Sequence, residues 1–232
     1  MSAKKKQQNI YKDAADRMAQ FQAAQSAAEI NDSRKGKDLL KASIAVVAAV
    51  ALALAAQWTY FSFGPQSSTT PINGVMSING AKLDMTLDRA NAPKAVEEFT
   101  KLIANGFYTG VSCHRLTTSG IYVLQCGDPK GDGSGGPGYS WGPIENAPAD
   151  NVYKSGVLAM ARQGNNGNSM GSQFFIVYQD STIPADSAGG YTVFGTVSNL
   201  AGLQNIIDAG TADASGDGKP KLATTINSIS VN

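Results

Sequence analysis

The 232-residue chain contains one histidine and two cysteines. With a single imidazole, His114, no site built on two histidines can form. Cys113 and Cys126 form no Cys-x-x-Cys pair, and no cluster of zinc-ligand spacing accompanies them, so no metal centre is expected. There is no Gly-x-Ser-x-Gly elbow to support a serine hydrolase, although counting alone leaves a triad open. Charged residues make up only 16%, with a net charge of +1, which argues against an overall electrostatic grip on nucleic acid. No cysteine lies near the apolar segment described next, which removes a lipid anchor.

Composition divides the chain into parts. Residues 1–41 are polar and lean basic, with Lys4, Lys5, Lys6, Arg34, Lys35, Lys37 and Lys41. Within them Met18 and Phe21 sit among alanines from Tyr11 to Ile30 at loosely helical spacing. An amphipathic docking helix and a solvated tail both fit that composition. From Ala42 to Phe63 no residue is charged. A hydrocarbon core needs about 20 apolar residues, and this run supplies them. Trp58, Tyr60 and Phe61 gather at its far end as an interfacial belt would, and the basic residues lie on its near side. The expectation is a single-pass anchor in the cell membrane, with the N-terminus cytoplasmic and the remainder outside. A cleaved signal peptide, cut near Ala53 or Ala55, is the alternative. Residues 64–73, with Pro65, Pro71 and a Ser/Thr cluster, read as a linker.

The remainder, 74–232, is rich in turns and short β-like runs. Val75–Ile78 and Leu83–Leu87 alternate and are joined by Asn79-Gly80, a strong hairpin signal. Pro93 opens a helical stretch through Ala95, Val96, Phe99, Leu102 and Ile103, which Asn105-Gly106 stops. Further strands are expected at Val111–Leu116, Tyr122–Cys126, Gly156–Ala161, Gln173–Val177, Thr192–Val197 and Thr224–Val231. A second helix is expected at Leu200–Ala209. The pattern suits a mainly β, closed antiparallel barrel capped by two helices, and periodicity alone would equally allow an open sandwich.

Four short motifs, in order and register, then carry a resemblance. Gly106-Phe107-Tyr108-Thr109-Gly110 with Cys113-His114-Arg115 is the first, and Gln125-Cys126-Gly127-Asp128 the second. The third pairs Leu158-Ala159-Met160-Ala161 with Gly171-Ser172-Gln173-Phe174-Phe175-Ile176, and Val193-Phe194-Gly195 is the fourth. Over residues 74–232 the chain resembles the cyclophilin-type peptidyl-prolyl cis/trans isomerases, in their bacterial branch. The resemblance implies an eight-stranded closed barrel with an apolar proline pocket. It also implies rotation of X-Pro bonds in proline-containing polypeptides, without a cofactor and as a monomer. In the anchored form, the clients would be exported proteins.

By the same resemblance Arg115 is the catalytic residue, donating toward the twisted amide. Tyr122, Val123 and Phe175 would form pocket wall, and Gln125 and Gln173 the polar lining. Ala161, Arg162 and Gln163 would meet the substrate backbone, with Arg162 standing where the family usually has Asn. Ile183 lies near the place of the family's rim tryptophan, and Tyr191 where many members have His. Loss of that tryptophan bears on any cyclosporin-type ligand. His114, adjacent to Arg115, is expected on the opposite strand face as a hydrogen-bonded structural residue. Cys113 and Cys126 fall on strands expected to be neighbours, so a disulfide and two free buried thiols are both open.

Overall fold

The computed structural model describes residues 23, 26, 46–59 and 69–232. Two compact units divide at Gly64 and Pro65. In the first, residues 46–59 are helical and exposed throughout. No helix among the described residues is long and apolar enough to cross a membrane. The anchor expected over 42–63 runs past the described segment at both ends, and the basic stretch 1–41 is described only at Ala23 and Ser26, both helical.

The second unit is mainly β. Strands β1 (Ile72–Ile78) and β2 (Ala81–Leu87) form the expected hairpin. Asn79 and Gly80 both have positive φ, 47° and 83°, as a type I′ turn requires. Strand β1 begins at Ile72, so the linker expected over 64–73 ends two residues early. Helix α1 (Pro93–Ala104) follows; the Glu145 carboxylate accepts from the N–H groups of Lys94 and Ala95 at 3.1 and 2.9 Å, satisfying two of the orphan donors of its first turn. Then come β3 (Cys113–Thr117), β4 (Val123–Cys126), β5 (Val152–Tyr153), β6 (Val157–Met160), β7 (Phe174–Val177), β8 (Ser181–Thr182) and β9 (Val193–Val197). The helix expected at Leu200–Ala209 is divided into a 3-10 turn, Leu200–Leu203, and a short α2, Gln204–Ala209. Strands β10 (Asp217–Gly218) and β11 (Ile226–Val231) complete the unit.

Nine of these strands make one antiparallel sheet in the order β10-β3-β4-β7-β6-β9-β2-β1-β11, and β5 pairs with β8 separately. The expected closed eight-stranded barrel is therefore corrected to a curved nine-stranded half-barrel. Its two edges meet only through a bridge between Ser112 and Thr225 and a few backbone hydrogen bonds around it. The physical reason is β10. It pairs with Leu116 and Thr117 and occupies the outer edge of β3, so the segment leading into β11 reaches only Cys113 at the start of that strand and the residues just before it.

The main core lies between the sheet and α1. Phe99 of α1 packs edge-on against Phe174, with ring centroids 5.4 Å apart, and meets Phe194 and Tyr108 at 4.9 and 5.0 Å. A second apolar cluster occupies the other sheet face: Val123, Tyr153, Ala159, Phe175, Val177 and Ile183, with Ile121 and Tyr191 against it. Period-two alternation thus sends Phe174 into the main core and Phe175 to the second face. Gly195 is explained by contact: a Cβ there would lie 2.6 Å from the Thr86 carbonyl oxygen, too close for β2 and β9 to pair.

Candidate active site

The second apolar cluster opens into a cavity of about 440 Å³, lined by Ile121, Val123, Phe175, Ile183 and Tyr191 on its apolar side. Arg115, His114, Gln125, Asp132, Asp217 and Lys219 supply its polar side. Phe175 and Tyr191 meet edge-on with centroids 5.5 Å apart, which makes that wall aromatic and stiff.

Four expected lining residues stand elsewhere or act differently. Tyr122 does not line the cavity; it packs edge-on against Tyr178 at 6.0 Å. Val123 and Gln125 alternate onto the cavity face, so Tyr122 between its neighbours turns away and Ile121 takes its place. Gln163 and Gln173 line an adjoining cavity of about 410 Å³, which shares Gln125, Gly133, Ala161 and Arg162 with the first.

Arg162 reaches both cavities, yet its guanidinium has nothing left to give. Its side chain is fully buried beside Asp186. Nη1 and Nη2 each donate to an Asp186 oxygen at 2.8 Å. The remaining donors go to the carbonyls of Gln163, Gly189 and Gly190. A guanidinium has five N–H groups, and all are used. The same cation lies over the Tyr191 ring, 4.8 Å from its centroid. Arg162 therefore holds the loop that presents Tyr191, and its side chain is not available to a substrate.

His114 is corrected on two counts. The β3–β4 register shifts between Cys113 and Arg115, a bulge that breaks strict alternation. His114 and Arg115 consequently both face the cavity. Neither ring nitrogen of His114 has a hydrogen-bond partner, although both are buried. Burial holds its pKa below the usual histidine value; Asp128 and Asp132 oppose that shift and Arg115 adds to it.

Arg115 and Gln125 face each other across the β3–β4 ladder. Arg115 Nη1 donates to Gln125 Oε1 at 3.3 Å, and Gln125 Nε2 donates to Gln173 Oε1 at 2.9 Å. Gln173 Nε2 in turn donates to the carbonyls of Gly133 and Gly135, each at 2.8 Å. That glycine loop is pinned by Asp128, whose buried carboxylate accepts from Lys130 N–H at 2.7 Å and Asp132 N–H at 3.0 Å, and also from Gly133 N–H. On the neighbouring rung Cys113 and Cys126 are directly opposed and joined by a disulfide. Among the described residues no three His, Cys, Asp or Glu side chains gather to hold a metal ion.

Comparison with known proteins decides the family. The family model for cyclophilin type peptidyl-prolyl cis-trans isomerases matches residues 75–231. The chain belongs to the cyclophilin family. This cyclophilin is 44% identical over 167 residues to the probable peptidyl-prolyl cis-trans isomerase B of Mycobacterium tuberculosis H37Rv, covering 66% of this chain and 52% of that one. It is 42% identical over 171 residues to the Mycobacterium leprae protein of the same description, covering 68% and 56%. The chain thus spans about half the length of these mycobacterial relatives. Among solved structures, a Cryptosporidium parvum cyclophilin type peptidyl-prolyl cis-trans isomerase superposes with a TM-score of 0.60 at 28% identity, over 70% of this chain and 98% of that one. The same protein has also been solved in the presence of the dipeptide Ala-Pro.

Sequence reasoning missed Ile121, Asp132, Asp217 and Lys219 as cavity residues. Strand alternation back from Gln125 could have found Ile121. Asp217 lies 102 residues from Arg115, and no local pattern points to it.

Proposed function

We propose that this cyclophilin accelerates cis/trans rotation of X-Pro bonds in polypeptides, with Arg115 stabilising the twisted amide. A planar amide resists rotation by about 18–20 kcal/mol, because its C–N bond has partial double-bond character. Twisting breaks that conjugation and localises the lone pair on the prolyl nitrogen. Catalysis then requires only that the twisted form bind better than either planar form. The observation that carries the reading is Arg115 on the rim of the apolar cavity. Three of its five N–H groups are occupied and two are free to donate. Val123, Phe175, Ile183 and Tyr191 provide an apolar wall for the proline ring. The backbone at Ala161, on the cavity wall, offers an edge to the segment flanking the proline. No bond is made or broken and no proton moves, so the site asks for no cofactor.

Proline-containing segments are accordingly the substrates, and the chain acts as a monomer. Residues 42–63 form a single-pass anchor, placing the domain outside the cell membrane beside exported proteins as they fold. The uncharged, largely apolar run and the basic residues on its near side support that reading. The family's rim tryptophan is absent, with Ile183 near its place, and that absence removes one contact a cyclosporin-type ligand would use.

The test is isomerase activity of the full chain on a proline peptide, wild type beside Arg115→Ala. Loss on the order of 100-fold is expected, the scale of removing one preorganised donor. Undiminished activity in the folded variant would reject the role of Arg115. Protease accessibility of the domain on intact cells tests the topology.

A further inference from the structure

Asp217 belongs to no motif and comes from the far end of the chain. Its Oδ1 accepts from Arg115 Nε at 2.7 Å and its Oδ2 from Nη2 at 2.8 Å, a side-on bidentate pair. We propose that Asp217 is a positioning residue for the isomerase reaction: it fixes the Arg115 guanidinium so that the two remaining N–H groups face the proline slot. This inference rests on the function proposed above.

Three observations carry it. First, Asp217 is itself held in place. Its backbone pairs with Thr117 in the β10–β3 ladder, one strand over from the β3–β4 rung of Arg115 and Gln125. Its N–H donates to Ser215 Oγ at 3.2 Å, and that hydroxyl is itself held by the Asp213 carboxylate, 2.8 Å from Oδ1. Second, the donor count is selective. The carboxylate takes Nε and one N–H of Nη2, and Gln125 takes one N–H of Nη1, so what is left lies at the outer end of the fork. Third, without Asp217 only one contact of 3.3 Å would orient the guanidinium. Such a long side chain loses considerable rotamer freedom when fixed, and that loss would fall in the transition state. The pair also holds the Asp217 carboxyl below its usual range through the Arg115 hydrogen bonds. Lys219 and Asp132, on the cavity lining, make no hydrogen bond to either partner.

The experiment compares wild type, Arg115→Ala, Asp217→Asn and Asp217→Glu as full chains. Line-shape NMR on a proline peptide separates kcat from KM, and the Arg115 side-chain Nε–H signal reports guanidinium rotation. Asp217→Asn should lower kcat about tenfold, the scale of a misplaced catalytic group, while KM changes less than threefold. Its Nε–H should exchange faster, and Asp217→Glu, which keeps a carboxylate, should recover part of the loss. Because the strand pairing of Asp217 is made by backbone, both variants should retain the wild-type amide spectrum. If Asp217→Asn turns over within twofold of wild type while Arg115→Ala is inactive, the positioning role is overturned and the function stands. If the wild type itself is inactive, or Arg115→Ala is not impaired, the proposed function fails instead. Should Asp217→Asn not fold, Asp217→Glu decides: a faster Nε–H with a reduced kcat supports the role, and a faster Nε–H with unchanged kcat removes it.

Discussion

Gln125 is held in one orientation by Gln173: its Nε2 donates to Gln173 Oε1 at 2.9 Å, which leaves its own Oε1 to accept from Arg115. The direction of this relay is set two steps back, at the carbonyls of Gly133 and Gly135. Carbonyls only accept, so Gln173 must present its amide nitrogen to them and its oxygen to Gln125.

A carboxylate at position 173 should therefore disrupt the relay although it matches glutamine in shape. Gln173→Glu cannot donate to either glycine carbonyl. We expect a fall in kcat/KM of roughly fivefold or more, as the loss of one net hydrogen bond of about 1 kcal/mol implies. Steady-state isomerase kinetics on Gln173→Glu and Gln173→Leu check this; equal activity in all three proteins would remove the relay from the mechanism.

Arg162 and Asp186 form the second rigid point of the site. Arg162→Met keeps much of the buried length but strands Asp186 and the carbonyls of Gly189 and Gly190. Removing Arg162 from its fully buried place leaves those acceptors unpaired, so urea unfolding should show a loss of stability, moderated because the Asp186 side chain is 28% exposed. KM should rise more than kcat falls, because the loop carrying Tyr191 loosens while Arg115 stays in place.

The single histidine makes the pH dependence of stability readable. Burial lowers the pKa of His114, so the folded ring stays neutral at a pH where the unfolded chain has bound a proton. The unfolded state then holds more protons, and stability rises with pH through this window. The His114 contribution is complete above about pH 6.5, the unfolded value, and declines as pH falls toward the lower folded value. The lowered carboxylates Asp128, Asp186 and Asp217 act in the same direction but only at more acidic pH. Denaturant midpoints at pH 5, 6 and 7 should slope in the wild type and flatten in His114→Phe. Parallel slopes would show that His114 is not the titrating group.

Reduction of the Cys113–Cys126 bridge should weaken the domain. The bridge closes a loop of 13 residues in sequence separation. Chain-entropy reasoning gives a cost of about 3 kcal/mol for losing a loop of that size. The check is a urea midpoint with and without reductant, beside thiol labelling of the unfolded chain. Labelling of both cysteines without reductant would mean that the bridge does not form.

The elements legible from sequence were those with dense local signals. The β1–β2 hairpin follows from Asn79-Gly80, because those two residues accept the positive φ that the turn demands. Helix α1 follows from Pro93 and the spacing of Val96, Phe99 and Leu102. Phe174 and Phe175 divide between two sheet faces as alternation requires. The two-residue strands β5, β8 and β10 were not legible, since so short a run has no period to read. The bulge at His114 was missed for a related reason, since it depends on how neighbouring strands register, whereas the outward turn of Tyr122 follows from alternation back from Gln125 and was legible.

Sequence by itself determined the family, through four motifs in order within residues 75–231, and with it the positions of Arg115, Gln125 and Phe175. The tertiary structure alone decided what holds Arg115. Asp217 reaches it because β10 pairs with the edge of β3, a contact across 102 residues of chain. It alone decided also that Arg162 is spent on Asp186 and the loop carbonyls. The physical reason is common to both: a guanidinium has a fixed number of donors, and which of them remain free depends on acceptors delivered by distant segments.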